Sequence, residues 1–136
     1  MKVSYDHGAY PLSRAYPADA GMDIRSPLDY HILPFSSAII PTGVHVQLPE
    51  GTFGLIASKS GLNIHHGITS EGIIDEGYGG EIVVKLYNFS PNTYDVKAGD
   101  KVSQLIILDC RHENTEVVDC VQCGERGNNG FGSTGR

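Results

Sequence analysis

The sequence predicts an all-β sandwich or barrel, on three observations. Turn signals recur about every 8–12 residues, the spacing of short antiparallel strands. The runs between them are apolar, β-branched and often alternating in period two. Glycine is 17 of the 136 residues, well above the roughly 7% of average usage, which suits many turns and few long helices.

The elements follow in order along the chain. Val44, Val46 and Leu48 alternate with His45 and Gln47, a half-buried strand. Pro49-Glu50-Gly51-Thr52 is a turn, and Phe53 to Ala57 resumes an extended apolar run. Ser60 to His66 can form a helix of at most two turns, with Ser60 as cap and Gly67 as stop. Gly72 to Glu81 reads as a hairpin, with two apolar residues running into Asp75, then a Gly-rich turn, then a strand. That strand alternates Ile82, Val84 and Leu86 with Val83, Lys85 and Tyr87. Ser90-Pro91-Asn92 and Lys97-Ala98-Gly99-Asp100 are turns. Val102 to Leu108 is a strongly apolar strand, and Val117-Val118 a weaker one. Residues 1–123 thus form the β domain. Residues 124–136 differ, with five glycines in thirteen positions, and read as a flexible arm.

Composition bounds the function. A chain of 136 residues fits one domain, and a domain near this size buries roughly 70% of its unfolded surface without staples. The net charge of −6 argues against nucleic acid or an anionic membrane as partner, both of which favour a basic face. It leaves room for a small anion held by local donors. Apolar stretches are short, such as Leu105 to Leu108, and Met1 to Asp6 contains no apolar signal core. The expected compartment is cytoplasmic (the host's cytoplasm if the source is a phage), with the three cysteines reduced. Cys120-x2-Cys123 could be half a zinc site, but no second pair completes it, so free thiols are expected. His65 and His66 are adjacent and cannot share a helix face; a surface or interface role suits them.

Four constellations could carry chemistry. Gly130-Phe131-Gly132-Ser133-Thr134-Gly135 matches a dinucleotide fingerprint, but that motif works only between a strand and a helix, and one residue follows it here. What remains is a set of anion donors: Arg126, Ser133, Thr134 and glycine amides that can approach a phosphate. With them is Phe131, apt for stacking on a base. Asp75, at the shoulder of its turn, is a candidate general base; it could equally be a turn aspartate bonded to its own backbone. Ser58-Lys59-Ser60-Gly61-Leu62 runs from a strand into a helix start, which suits an anion or an ordinary cap. Ala20-Gly21-Met22-Asp23-Ile24 places an aspartate after a glycine turn.

Together these segments resemble the five motifs of the homotrimeric dUTPase family. The first is Ala20 to Ile24, the second Ser58 to Leu62 and the third Gly72 to Ile82. Gly99-Asp100-Lys101-Val102-Ser103-Gln104-Leu105 is similar to the fourth, and Arg126 through Gly135 to the fifth. The resemblance implies a jelly-roll-type β-barrel with one short helix and a Gly-rich arm, assembled as a trimer whose active sites draw on all three subunits. It implies hydrolysis of dUTP to dUMP and pyrophosphate, removing dUTP and supplying dUMP for dTMP synthesis, with Mg2+ carried on substrate phosphates and water.

The roles so implied are these. Asp75 is the base that activates water. Tyr78 packs under the deoxyribose, and the backbone from Gly72 through Ile74 to Tyr78 reads the uracil edge. Lys59, Ser60, Gly61 and Gln104 attend the phosphates, with Lys85 also on the substrate side. Phe131 stacks on uracil; Arg126, Gly132, Ser133 and Thr134 clasp the γ-phosphate; and Asp23 reaches the metal through water. Lys59 and Gly79 stand where arginine is usual, and Ser58 where proline is common. Competing readings are a dCTP deaminase or bifunctional deaminase, disfavoured because Lys85 occupies the place of that enzyme's glutamate base, and a non-catalytic nucleotide-binding regulator. A structural jelly roll has no use for a donor-rich arm.

Overall fold

A computed structural model describes residues 1–121, 124, 125 and 127. Ten strands and one helix are present among them: β1 (Lys2–Tyr5), β2 (Met22–Arg25), β3 (Tyr30–Ile32), β4 (Ser37–Gln47), β5 (Thr52–Ala57), α1 (Ser60–His66), β6 (Ile68–Thr69), β7 (Glu71–Ile74), β8 (Glu81–Asn88), β9 (Tyr94–Val96) and β10 (Lys101–Asp109). They form two four-stranded sheets, ordered β1-β4-β8-β6 and β2-β10-β5-β7, and a ribbon β3-β9. Every pairing is antiparallel.

Alternation sets which side chains face the core. Val44, Val46 and Leu48, and Ile82, Val84 and Leu86, are all buried, as the period-two pattern requires. From the opposing sheet come Met22 and Ile24, Ile56, Ile74, Val102 and Leu105.

β4 is longer than its alternating half suggests, because it passes through a bulge. The register jumps between Pro41↔Val83 and Val44↔Ile82, which is where a strand tolerates proline. Side chains brace the bulge: Thr42 Oγ1 donates to the Ile82 carbonyl at 2.6 Å, and the Gly43 amide donates to Glu81 Oε1 at 2.7 Å. Gly43 has φ +67 and lies where a Cβ would press on Ala9.

Three sequence expectations are corrected. Val117-Val118 is no strand; Val117 is 98% exposed, because two apolar residues beside Glu116 and Asp119 find no ladder to join. Ser60 is the first helical residue rather than the cap. Lys59 holds the cap position, with no side-chain cap bond, while Gly67 closes the helix in the left-handed region at φ 66. The segment from Gly72 to Glu81 is not a paired hairpin, since β7 pairs with β5 and β8 with β4 and β6. Its turn crosses from one sheet to the other, because Ile74 and Ile82 must both reach the shared core.

Candidate active site

Two groups of the expected site residues form, at different places on one sheet. The first surrounds the turn between β7 and β8. Ile74 pairs with Gly54 and is buried, which carries Asp75 out of the core and into solvent. The Asp75 carbonyl accepts from the Tyr78 amide at 3.1 Å, and Gly77 takes φ +83 to close the turn. The Asp75 carboxylate has no hydrogen-bond partner among the described residues, so it is not the self-bonded turn aspartate. It opens onto a pocket of about 290 Å³ lined by Ile73, Ile74, Asp75, Tyr78, Glu81 and Val83. Tyr78 leans over its own turn, its hydroxyl donating to the Glu81 carbonyl at 3.0 Å.

The second group lies where β5 runs into α1. Asp23 on β2 is buried, and its two oxygens bind separate ammonium groups. Lys59 Nζ meets Oδ1, and Lys101 Nζ meets Oδ2 at 2.6 Å. Burial pushes the Asp23 carboxyl up, but the bonds and charges of Lys101 and Lys59 outweigh it and hold it below the ordinary carboxylate range. Gln104 on β10 pairs with both Asp23 and Ala57. Its Nε2 donates to the Ser58 carbonyl at 3.0 Å, immediately before Lys59, Ser60 and Gly61. Gly21 makes room for it, since a Cβ there would stand 2.9 Å from Gln104 Cδ.

Beneath this corner is a serine relay that the sequence did not announce. Ser103 Oγ donates to the Ala57 carbonyl at 2.9 Å, so in its 2.8 Å contact with Ser70 it is the acceptor. Ser58 Oγ donates to the Ser70 carbonyl and accepts from the Ser70 amide. The relay fixes the strand-to-helix corner on β10 and on the chain before β7. Three small hydroxyl residues of scattered number carry no sequence pattern that would have revealed it.

The two groups do not meet within one chain. Ile74 pairs with Gly54 and Gln104 with Ala57, so they are about 10 Å apart along β5 at roughly 3.3 Å per residue. None of Lys59, Ser60, Gly61 and Gln104 lines the Asp75 pocket. Gly72 lies on β7 opposite Ile56. Lys85 stands on the outer face of β8, its Nζ 5.0 Å from the centre of the Tyr87 ring, and it too lies outside the pocket. Arg126, Phe131, Gly132, Ser133 and Thr134 lie outside the described residues, as does Cys123; Cys110 and Cys120 are free thiols. No helix among the described residues is long and apolar enough to cross a membrane.

Comparison with known proteins shows the family and the fold. The dUTPase family model matches residues 9–135. The deoxyuridine 5'-triphosphate nucleotidohydrolase of Candida glabrata is 39% identical over 138 aligned positions, covering 100% of this chain and 95% of that protein. The dUTPase of Staphylococcus bacteriophage 80alpha, solved with dUPNHPP, superposes with a TM-score of 0.92 at 27% identity, covering 99% of this chain and 98% of that one. A mutant dUTPase from phage phi11 of S. aureus, whose structure concerns coordination of a structural Mg(II) ion, superposes with a TM-score of 0.82 at 26% identity, covering 90% and 98%.

Proposed function

The chain belongs to the dUTPase family and is a dUTP diphosphatase; on that premise we propose that Asp75 drives in-line attack of water on the α-phosphorus of dUTP, releasing dUMP and pyrophosphate. The observation that carries this reading is the Asp75 carboxylate, without a hydrogen-bond partner among the described residues, at the mouth of a pocket walled by Tyr78, Glu81 and apolar side chains. Phosphoryl transfer needs mainly positioning and charge stabilisation, so one base and many donors are enough.

Asp75 accepts a proton from the attacking water, whose oxygen bonds to the α-phosphorus as the bond to the bridging oxygen of pyrophosphate breaks. Tyr78 lies beneath the deoxyribose and leaves no space for a 2′-hydroxyl, while the backbone from Gly72 through Ile74 to Tyr78 reads the uracil edge. Ser60, Gly61 and Gln104 hold phosphate oxygens, and Lys59 and Lys85 add positive charge for the substrate. The arm of residues 124–136 closes the site, with Phe131 on the base and Arg126, Gly132, Ser133 and Thr134 on the γ-phosphate.

Mg2+, when bound, neutralises the triphosphate and the developing charge. The donor set fits a metal held mainly by phosphate and water. No group of three or more His, Cys, Asp or Glu comes together among the described residues, and Asp23 already answers two lysines. What Asp23 can offer is an acceptor for a metal-bound water, the arrangement magnesium commonly keeps.

The separation of the two residue groups, offset along β5 and on strands that flank it on opposite sides, supports shared sites in a homotrimer, in which a neighbour's phosphate-binding corner reaches this chain's Asp75. Ile39 on β4 is an exposed apolar side chain, as are Ile73 and Val83 beside the Asp75 pocket, and a second copy would cover such surface.

The test is pyrophosphate release from dUTP, dCTP, dTTP and UTP with Mg2+, with products separated by chromatography, beside an Asp75→Asn variant. Turnover of dUTP alone, lost in the variant while nucleotide still binds, is the expected result. Deamination of dCTP, or full activity in the variant, overturns the reading.

A further inference from the structure

We propose that His45 is a positioning residue for the turn that carries Asp75, tying the Gly79 carbonyl of that turn to the Asp6 carboxylate beyond β1, and doing so fully only as the imidazolium. The inference rests on the proposed catalytic role of Asp75 and adds a residue outside the five motifs.

The geometry is explicit. His45 lies on β4 between Ser4 of β1 and Glu81 of β8. Its Nδ1 is 3.2 Å from the Gly79 carbonyl oxygen, and its Nε2 is 3.2 Å from Asp6 Oδ2. Both partners are acceptors with no proton to give. A neutral imidazole carries one N–H and can satisfy one of them; the imidazolium satisfies both.

The contacts matter because the turn has few other anchors. From Asp75 to Gly80 it is held by its own Asp75–Tyr78 bond, by the Tyr78 hydroxyl on Glu81, by Glu76 accepting from the Gly51 amide at 2.8 Å, and by His45. Tyr78 lies one residue before Gly79, so the position of that carbonyl sets the plane on which the sugar rests. Gly79 and Gly80 offer no side chains that could brace the segment.

The charged groups around the ring favour the doubly bonded form. Asp6 faces it from the loop after β1, and Glu81 stands beside it on β8; Lys2 of β1 lines the same shallow pocket. The bond to Asp6, then the bond to Gly79, raise the His45 pKa above its ordinary value of 6.5, against a smaller loss from desolvation. The sign follows: the full tie is present at low pH and is lost as pH rises through the raised value.

The experiment compares wild type, His45→Gln and Asp6→Asn. It reads kcat and KM for dUTP across pH 5.5–9, melting temperature, and an NMR titration of the His45 ring. The expected wild-type kcat falls about threefold as the ring deprotonates. His45→Gln is uniformly low by a similar factor and lacks that step, with KM and melting temperature little changed. Asp6→Asn moves both the kinetic step and the ring titration to lower pH. A His45→Gln profile superimposable on wild type, or a ring titration unmoved by Asp6→Asn, overturns the inference. The Asp75→Asn variant separates this from the parent reading: if it stays active the parent reading fails, whereas an inactive Asp75→Asn beside an unaffected His45→Gln removes His45 alone.

Discussion

A Cβ built on Gly80 would stand 2.5 Å from Cζ of Tyr78 and 2.9 Å from Cε2, so this glycine is what lets Tyr78 fold over its own turn and reach the Glu81 carbonyl. The atoms that would collide belong to the far end of a side chain, which can swing away without disturbing the backbone. Gly80→Ala therefore displaces Tyr78 and leaves the fold in place. If Tyr78 floors the deoxyribose, the variant loses discrimination against the 2′-hydroxyl. The expected outcome is a rise of about tenfold in relative kcat/KM for UTP over dUTP, equivalent to about 1.4 kcal/mol, with little change in melting temperature. Steady-state kinetics on the two nucleotides checks it.

Asp23 gives the fold a defined response to acid. Its folded pKa lies below the ordinary 3.8, so its contribution is complete above that value and is lost as pH falls through the depressed one. Breaking a fully buried pair costs roughly 3–5 kcal/mol; here the lysine side chains are 26% and 35% exposed, so about 2 kcal/mol is expected for Asp23→Asn at neutral pH. Urea midpoints at pH 7 and pH 3.5 test this: the gap between wild type and variant should narrow at the lower pH.

Gly54 links core packing to the site. A Cβ there would sit 2.8 Å from Leu105 Cδ1 and 3.2 Å from Ile74 Cβ. Ile74 is buried and directly precedes Asp75, so relief of the clash pushes on the catalytic turn. Gly54→Ala should cost about 1–3 kcal/mol, the range for overpacking a filled core, and should lower kcat more than KM rises. Urea denaturation with parallel kinetics measures both.

Much of this was legible because period-two patterns report a shared core. Val44-Val46-Leu48 and Ile82-Val84-Leu86 needed no partner to be recognised. The short strands β1, β3, β6 and β9 did not announce themselves, since two to four residues cannot establish a period and their pairing depends on distant chain. The β7–β8 turn looks like a hairpin in sequence for a related reason: local sequence shows a turn between apolar runs, but the strands those runs join, β5 for β7 and β4 and β6 for β8, lie elsewhere in the chain. Asp75, Tyr78 and Gln104 were visible as motif residues. The Lys59–Asp23–Lys101 clamp and the His45 tie were not, because ion pairs between distant strands leave no local signature.

The turn itself offers a contrast between two glycines separated by one residue. Gly77 has φ +83, a region where an L side chain is strained. Gly79 has no positive φ, and a Cβ added there meets nothing within 4 Å. Conformation rather than space therefore separates them. Gly77→Ala should destabilise by about 1 kcal/mol, while Gly79→Ala should be neutral or stabilise by up to about 1 kcal/mol through a restricted unfolded chain. The Gly79 carbonyl survives substitution, so the bond from His45 persists and Gly79→Ala keeps its activity. Gly77→Ala should lose activity, because relieving its strained φ turns the peptide that follows and shifts Tyr78. Thermal melts and kcat for the two variants decide it: equal costs would mean that the turn is set by packing rather than by the backbone angle at Gly77.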